Sequence, residues 1–259
     1  MLNHYDSIIL NHIYNYRITT LSVLHKALFP NKTLEEIREL CKLLRNKGFI
    51  GDAPLHPYEN YYHLTKKAAK ELYNDESKNV SEYLEIHQLV EAYAMLAFCC
   101  LQKIKRGKIT EHKLLNEDKD LTINKIISVN DNKEKEVKIP SNNYYKDTVN
   151  GKKVIGWLKV DFGFHHERAA QRIYPIIKKR FKNEKWKRLI INGSFIITVA
   201  TAWETKAQRL RECIRDDQKF KNKIYKCIKR DFPFEKDISF PLKVYVCEVP
   251  ELKFFSTKY

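Results

Sequence analysis

Asp161 and the pair Glu204-x-Lys206 have the types and spacing that metal-assisted phosphodiester chemistry requires. Clustered carboxylates hold a divalent ion, and a lysine stands near the attacked phosphate. The three spell a D…ExK set, and Mg²⁺ is the cofactor such a nuclease would need. The interval between Asp161 and Glu204 contains a whole predicted helix, however, and no third carboxylate is obvious. Glu204 also falls near the start of the predicted helix Lys206–Lys229, where a carboxylate simply serves the helix N-terminus. These residues favour a protein without catalysis over a nuclease. His165-His166-Glu167 has zinc-ligating types, but adjacent histidines point to different sides of a strand or helix. No third ligand stands at useful spacing, so no metal site is expected. Only seven glycines are present, with no G-x-G-x-x-G and no Walker motif, which argues against a phosphate-cradling loop.

A second group of residues suits binding. Lys178-Lys179-Arg180-Phe181-Lys182-Asn183-Glu184-Lys185-Trp186-Lys187-Arg188 interleaves cations with two aromatics. Arg209, Arg211, Arg215, Lys219, Lys221, Lys223, Lys226, Lys229 and Arg230 follow. Cations neutralise phosphates, and aromatics stack on bases or anchor the loop that carries them; a solvated surface is the alternative. The net charge of +16 points to a polyanion, most simply nucleic acid. Its distribution is uneven. Residues 1–75 hold 10 Lys+Arg against 8 Asp+Glu, residues 76–150 hold 12 against 12, and residues 151–259 hold 26 against 12.

The elements that position these residues begin with Tyr5–Tyr73. A helix over Tyr5–Tyr16 carries Tyr5, Ile8, Ile9, His12, Ile13 and Tyr16 on one side, and Thr20 caps a second, Leu21–Leu28. Thr33 caps a third whose apolar positions are Leu34, Ile37, Leu40, Cys41 and Leu44, ending at Asn46-Lys47-Gly48. Phe49-Ile50 and Tyr61-Tyr62-His63-Leu64 are strands around a turn-rich tip, and Thr65 caps the closing helix Lys66–Tyr73. This order reads as a winged helix, a fold that often binds DNA. The third helix is acidic in its first half (Glu35, Glu36, Glu39), so DNA contact falls to Arg38, Lys42, Arg45 and Lys47, with Asn46 as a base reader. The wing offers His56, Tyr58 and Asn60. Use of the winged helix for protein contact, including homodimerisation, is the competing reading.

Residues 75–79 read as a linker, and Ser81 to about Arg106 as one long helix buried on more than one side. Residues 107–150 are poorly patterned, with charge-rich loops at 116–120 and 130–136 that lack the glycine and terminal glutamate of a calcium loop. Beyond them, Val149-Asn150-Gly151-Lys152 signals a hairpin turn, and Lys153–Phe162, Phe195–Ala200 and Leu242–Cys247 read as strands. Helices are expected over Glu167–Phe181, kinked or split by Pro175, and over Lys206–Lys229. The fold class is therefore α+β: a winged helix-turn-helix over 1–75, a linking helix over 76–106, and a small, basic α/β domain over 107–259.

This order of parts resembles the replication-relaxation family of plasmids and other mobile elements. The likeness rests on Tyr61-Tyr62-His63-Leu64-Thr65, Ile86-His87-Gln88-Leu89, Ile139-Pro140-Ser141, the strand Trp157–Asp161, and Phe195–Ala200 running into Glu204-Thr205-Lys206. It covers most of residues 5–215. It implies a DNA-binding winged helix followed by a restriction-endonuclease-like core, and a role in plasmid replication, transfer or transcriptional control alongside replication or transfer proteins. Two departures bear on catalysis. Where the family pattern has Pro-Asp this chain has Pro140-Ser141, and where a carboxylate should precede an aspartate by two it has Lys159-Val160-Asp161. Serine and lysine in those places remove metal ligands, which implies a nuclease-like scaffold without its chemistry.

The six cysteines show no C-x-x-C pair, which fits free thiols in a reducing cytoplasm. The N-terminus has no basic segment followed by an apolar core, so no signal peptide is expected. The apolar run around Ala92–Leu101 is too short to span a bilayer, and no membrane association is expected.

Overall fold

The structure, a computed structural model, describes residues 2–74, 84–109, 123–127, 134–138, 143–181, 183–231 and 242–256. The linker at 75–79, the charge-rich stretches 116–120 and 130–133, and the Ile139-Pro140-Ser141 step lie outside them. The architecture is α+β, as the patterning predicts. The chain forms two compact units, Met1–Lys108 with Glu251–Tyr259, and Ile109–Pro250. The first unit thus takes in both the long helix and the C-terminal residues.

The first unit opens with α1 (His4–Tyr16), whose Asn3–Asp6 capping box satisfies two N-terminal amides. Strand β1 (Thr19–Thr20) follows, then a single α-helical turn, α2 (Leu21–Val23), which widens into a π-helical turn over Leu24–Leu28. Helix α3 (Leu34–Asn46) starts at the Thr33–Glu36 capping box and leaves through Gly48, whose φ of 75° suits a residue without a side chain. Strands β2 (Ile50–His56) and β3 (Glu59–Leu64) form a hairpin, and α4 (Lys66–Tyr73) is capped by Thr65. Strand β3 lies between the other two, in the order β1-β3-β2. Ile9, Leu10, Ile13, Leu24, Ile37, Cys41, Leu44, Ile50 and Leu64 form the core. For α3 this is the predicted face apart from Leu34, which is exposed; in α1, Tyr5 of the predicted face is exposed and Leu10, outside that face, is buried. The long helix is α5 (Ile86–Cys100), shorter than the expected span from Ser81 to about Arg106, since residues 84–85 and 101–106 are not helical; it is buried nearly all round from Leu89 onward. A 3₁₀ segment, Pro250–Phe255, completes the unit with Leu252 and Phe255 buried.

Strands β4 (Gly107–Ile109), β7 (Tyr144–Val149), β8 (Lys152–Val160), β9 (Phe195–Thr201) and β10 (Lys243–Glu248) form one sheet in the order β10-β9-β8-β7-β4. Between β4 and β7, β5 (Ile123–Ile127) and β6 (Glu134–Lys138) pair as an antiparallel ribbon. β7 and β8 are antiparallel around Asn150-Gly151, both with positive φ (51° and 74°), the hairpin turn that this dipeptide predicts. β8, β9 and β10 are parallel, joined by helical crossovers. Gly156 is required on β8 because a Cβ there would lie 1.9 Å from the Tyr145 ring.

In the second unit, three helical expectations need correction. Glu167–Phe181 is a 3₁₀ turn (His166–Arg168) followed by α6 (Ala169–Arg180), which continues through Pro175. The basic segment is not a loop: it is the end of α6 followed by α7 (Glu184–Ile191), capped by Asn183. Lys206–Lys229 is two helices, α8 (Glu204–Asp216) and α9 (Gln218–Asp231). Asp217 leaves the helical region (φ −74°, ψ 91°) and its carboxylate accepts the Phe220 amide at 2.7 Å, which stops one helix and caps the next. Ile173, Ile177, Trp186, Ile190, Leu210, Phe220, Ile224 and Ile228 from these helices pack on Phe195, Ile197 and Val199 of β9.

Candidate nucleic-acid interface

In the first unit, the polar side chains of α3 and the β2–β3 hairpin converge. Arg38, Lys42 and Arg45 of α3 and His56, Tyr58 and Asn60 of the hairpin line a groove of about 800 Å³. Each α3 cation has a carboxylate beside it. Arg38 pairs with Glu35, Lys42 with Glu39 at 3.4 Å, and Arg45 with Asp52 at 3.0 Å. Asp52 also accepts from the Asn60 amide at 3.1 Å, so one strand residue aligns helix and hairpin. Such water-accessible pairs contribute little to stability, so a phosphate can displace the carboxylates at small cost.

Not every predicted reader is available. Asn46 is exposed. Lys47 instead places its Nζ 2.7 Å from Asp6, a carboxylate with no exposed surface, and thereby ties the end of α3 to the start of α1. The His56 side chain is only 6% exposed and stacks on Phe254 at 4.0 Å. Tyr58 is 86% exposed at the tip. Lys26, Glu251 and Phe254 also line the groove and were not expected from the sequence. Lys26 sits on the π-helical turn and has no carboxylate partner among the described residues. Glu251 and Phe254 come from the far end of the chain, where no local pattern signals a contact with the hairpin.

In the second unit, Lys178 and Arg188 are exposed, while Lys179 and Lys187 are partly buried. Helix α9 packs along α6, with Lys223 Nζ 5.2 Å from the Tyr174 ring, and carries exposed Lys219, Lys226 and Lys229 on its outer face. Arg180 is a correction: it is 2% exposed and belongs to the core, not to a DNA surface. Phe181 and Trp186 are likewise buried and anchor their helices.

The structure brings Asp161, Glu204 and Lys206 to one edge of the sheet, at the C-terminal ends of the parallel strands β8 and β9. The Asp161 amide donates to Ala200 O at 2.9 Å, and Gly163 lies so close to Lys206 that a Cβ there would stand 3.2 Å from the lysine Cβ. Both carboxylates are already engaged. Arg172 Nε is 2.8 Å from Asp161, and Arg211 Nη1 is 2.6 Å from Glu204. Among the described residues no group of three or more His, Cys, Asp or Glu side chains converges where it could hold a metal ion. His165 and His166 both lie beside Glu167 on the 3₁₀ turn. No described helix is long and apolar enough to cross a membrane.

No family model matches the chain, and neither a curated protein nor a solved structure is found similar to it.

Proposed function

We propose that this is a DNA-binding protein of a plasmid or other mobile element that acts in replication, transfer or transcriptional control without catalysis. In this reading the first unit is a winged helix and the second a nuclease-like scaffold that adds phosphate contacts. The supporting observation is connectivity. A short strand between the first two helices pairs with the second strand of a hairpin that follows the third helix, in the order β1-β3-β2. This arrangement leaves α3 and the hairpin tip side by side, where a helix can enter a major groove and a hairpin can follow the backbone. Phosphate contacts supply affinity and base contacts supply choice.

The test is affinity for a native-site and a scrambled duplex across a salt series. Neutralising exposed Lys178 and Arg188 with Lys179 and Lys187 is expected to weaken binding to both duplexes and to flatten the salt dependence by a slope of up to about 4. Arg45→Ala with Asn46→Ala is expected to reduce the preference for the native site while non-specific binding persists. Wild-type behaviour of the four-cation variant would remove the second unit from the interface.

A metal-dependent nuclease is the second reading, because Asp161, Glu204 and Lys206 share an edge. The arginines on both carboxylates weigh against it, since metal binding requires those oxygens. Supercoiled plasmid incubated with Mg²⁺ or Mn²⁺ is expected to stay intact; metal-dependent nicking that disappears in Asp161→Ala would establish the nuclease instead.

A further inference from the structure

The groove of the first unit holds groups beyond the α3 cations that the duplex reading uses. Its volume, about 800 Å³, is that of a small-ligand pocket. A duplex is read by a convex element entering its groove, whereas this concave chamber admits a unit the size of one or two nucleotides. Four of its residues match the parts of a nucleotide. Lys26, exposed and without a carboxylate partner among the described residues, offers charge to a phosphate. Tyr58 and Phe254, 86% and 46% exposed, offer ring surface for stacking, with Phe254 held on its other side by His56. Glu251 Oε2 is buried with no hydrogen-bond partner among the described residues, and an acceptor so placed carries a desolvation cost until a donor arrives. The other groove glutamate, Glu59, is already used: its Oε1 accepts the Ser22 amide at 3.0 Å.

We infer that this groove captures one unpaired nucleobase bearing an exocyclic amino group (cytosine, adenine or guanine) from a strand flanking a duplex. The base stacks on Tyr58 and Phe254, its amino group donates to Glu251, and the adjoining phosphate meets Lys26. Cations combined with exposed aromatics are the means by which single strands are held, and a carboxylate accepting from cytosine N4 is an established base contact. Thymine has no amino group, and its one Watson–Crick donor, N3–H, lies between two carbonyl oxygens that repel a carboxylate, so it is the poorer fit. The inference rests on the first unit binding DNA, but it makes a separate demand.

The test compares three fluorescein-labelled DNAs on the full chain at one salt concentration: a blunt duplex, the same duplex with a three-cytidine 3′ overhang, and one with a three-thymidine overhang. The cytidine overhang is expected to bind about tenfold more tightly than the blunt duplex, from stacking of about one base, and the thymidine overhang less tightly than the cytidine one. Tyr58→Ala and Phe254→Ala are each expected to bring the overhang-to-blunt ratio close to one, while Tyr58→Trp preserves it. Glu251→Gln is expected to erase the difference between cytidine and thymidine. Tight blunt-duplex binding with no gain from either overhang would overturn the groove assignment and leave the DNA-binding reading standing. Binding of none of the three would overturn both. An equal gain from cytidine and thymidine would refute the role of Glu251 and with it the base preference.

Discussion

Arg180→Ala is expected to destabilise the second unit by about 3–5 kcal/mol, as other large-to-small core changes do. The guanidinium lies 5.2 Å from the Trp157, Trp186 and Phe195 ring centroids and 5.5 Å from that of Tyr144. It donates to Ile176 O at 3.0 Å and to the Tyr144 hydroxyl. Burial pulls its pKa below the ordinary arginine value, opposed by the interaction with Tyr144. Truncation removes the desolvated cation–π contacts, opens a cavity among the rings and leaves the Tyr144 hydroxyl without its donor. Arg180→Met separates volume from charge. It fills most of the space without the cost of burying a cation, so its loss should be clearly smaller than that of alanine. All three tryptophans, Trp157, Trp186 and Trp203, lie in the second unit, so urea unfolding followed by tryptophan fluorescence reports on that unit. An alanine variant as stable as wild type would refute this role. The same variant, if folded, should keep the wild-type salt slope for DNA, because a buried guanidinium contacts no phosphate.

The first unit is expected to lose about 3 kcal/mol of stability between pH 6.5 and pH 4 through His12 alone, at roughly 1.4 kcal/mol per unit of pKa shift. His12 is buried on the core face of α1, packed 4.8 Å from the Tyr16 ring, and burial lowers its pKa from 6.5 to about 4. Its Nε2 is buried with no hydrogen-bond partner among the described residues, so none of them compensates a proton there. The sign follows from which state binds the proton first. The unfolded histidine protonates near pH 6.5, while the folded one resists until about pH 4. In that window the unfolded state holds more protons, and stability falls as pH falls. Below about pH 4 both states are protonated and this contribution levels off. Amide hydrogen exchange of Ile9 and Ile13 measures the opening free energy of this unit directly. His12→Phe, which cannot titrate, should remove about 3 kcal/mol of the pH dependence; an unchanged slope would place the acid sensitivity elsewhere.

The sequence by itself determined the elements whose signals are local. The caps at Thr20, Thr33 and Thr65, the apolar faces of α1 and α3, the Asn150-Gly151 turn and the buried strand Phe195–Thr201 are all readable from neighbours a few residues away. Such signals act through backbone amides and side-chain periodicity, so they survive without knowledge of the fold. Local reading failed where a neighbour's identity was ambiguous. Lys206–Lys229 reads as one helix, whereas the Asp217 side chain caps a second helix within that span.

What tertiary structure alone decided is the partner of each charge. Arg180 and Lys178 look alike in a basic run, yet one is enclosed by four rings while the other is exposed. Lys47 reaches Asp6, and Arg172 reaches Asp161, through contacts set by how elements pack. Glu251 and Phe254 join a groove built from residues more than half the chain away. A charged group's cost and use depend on the water, rings and counter-charges within a few ångströms of it, and chain closure determines which of these it meets.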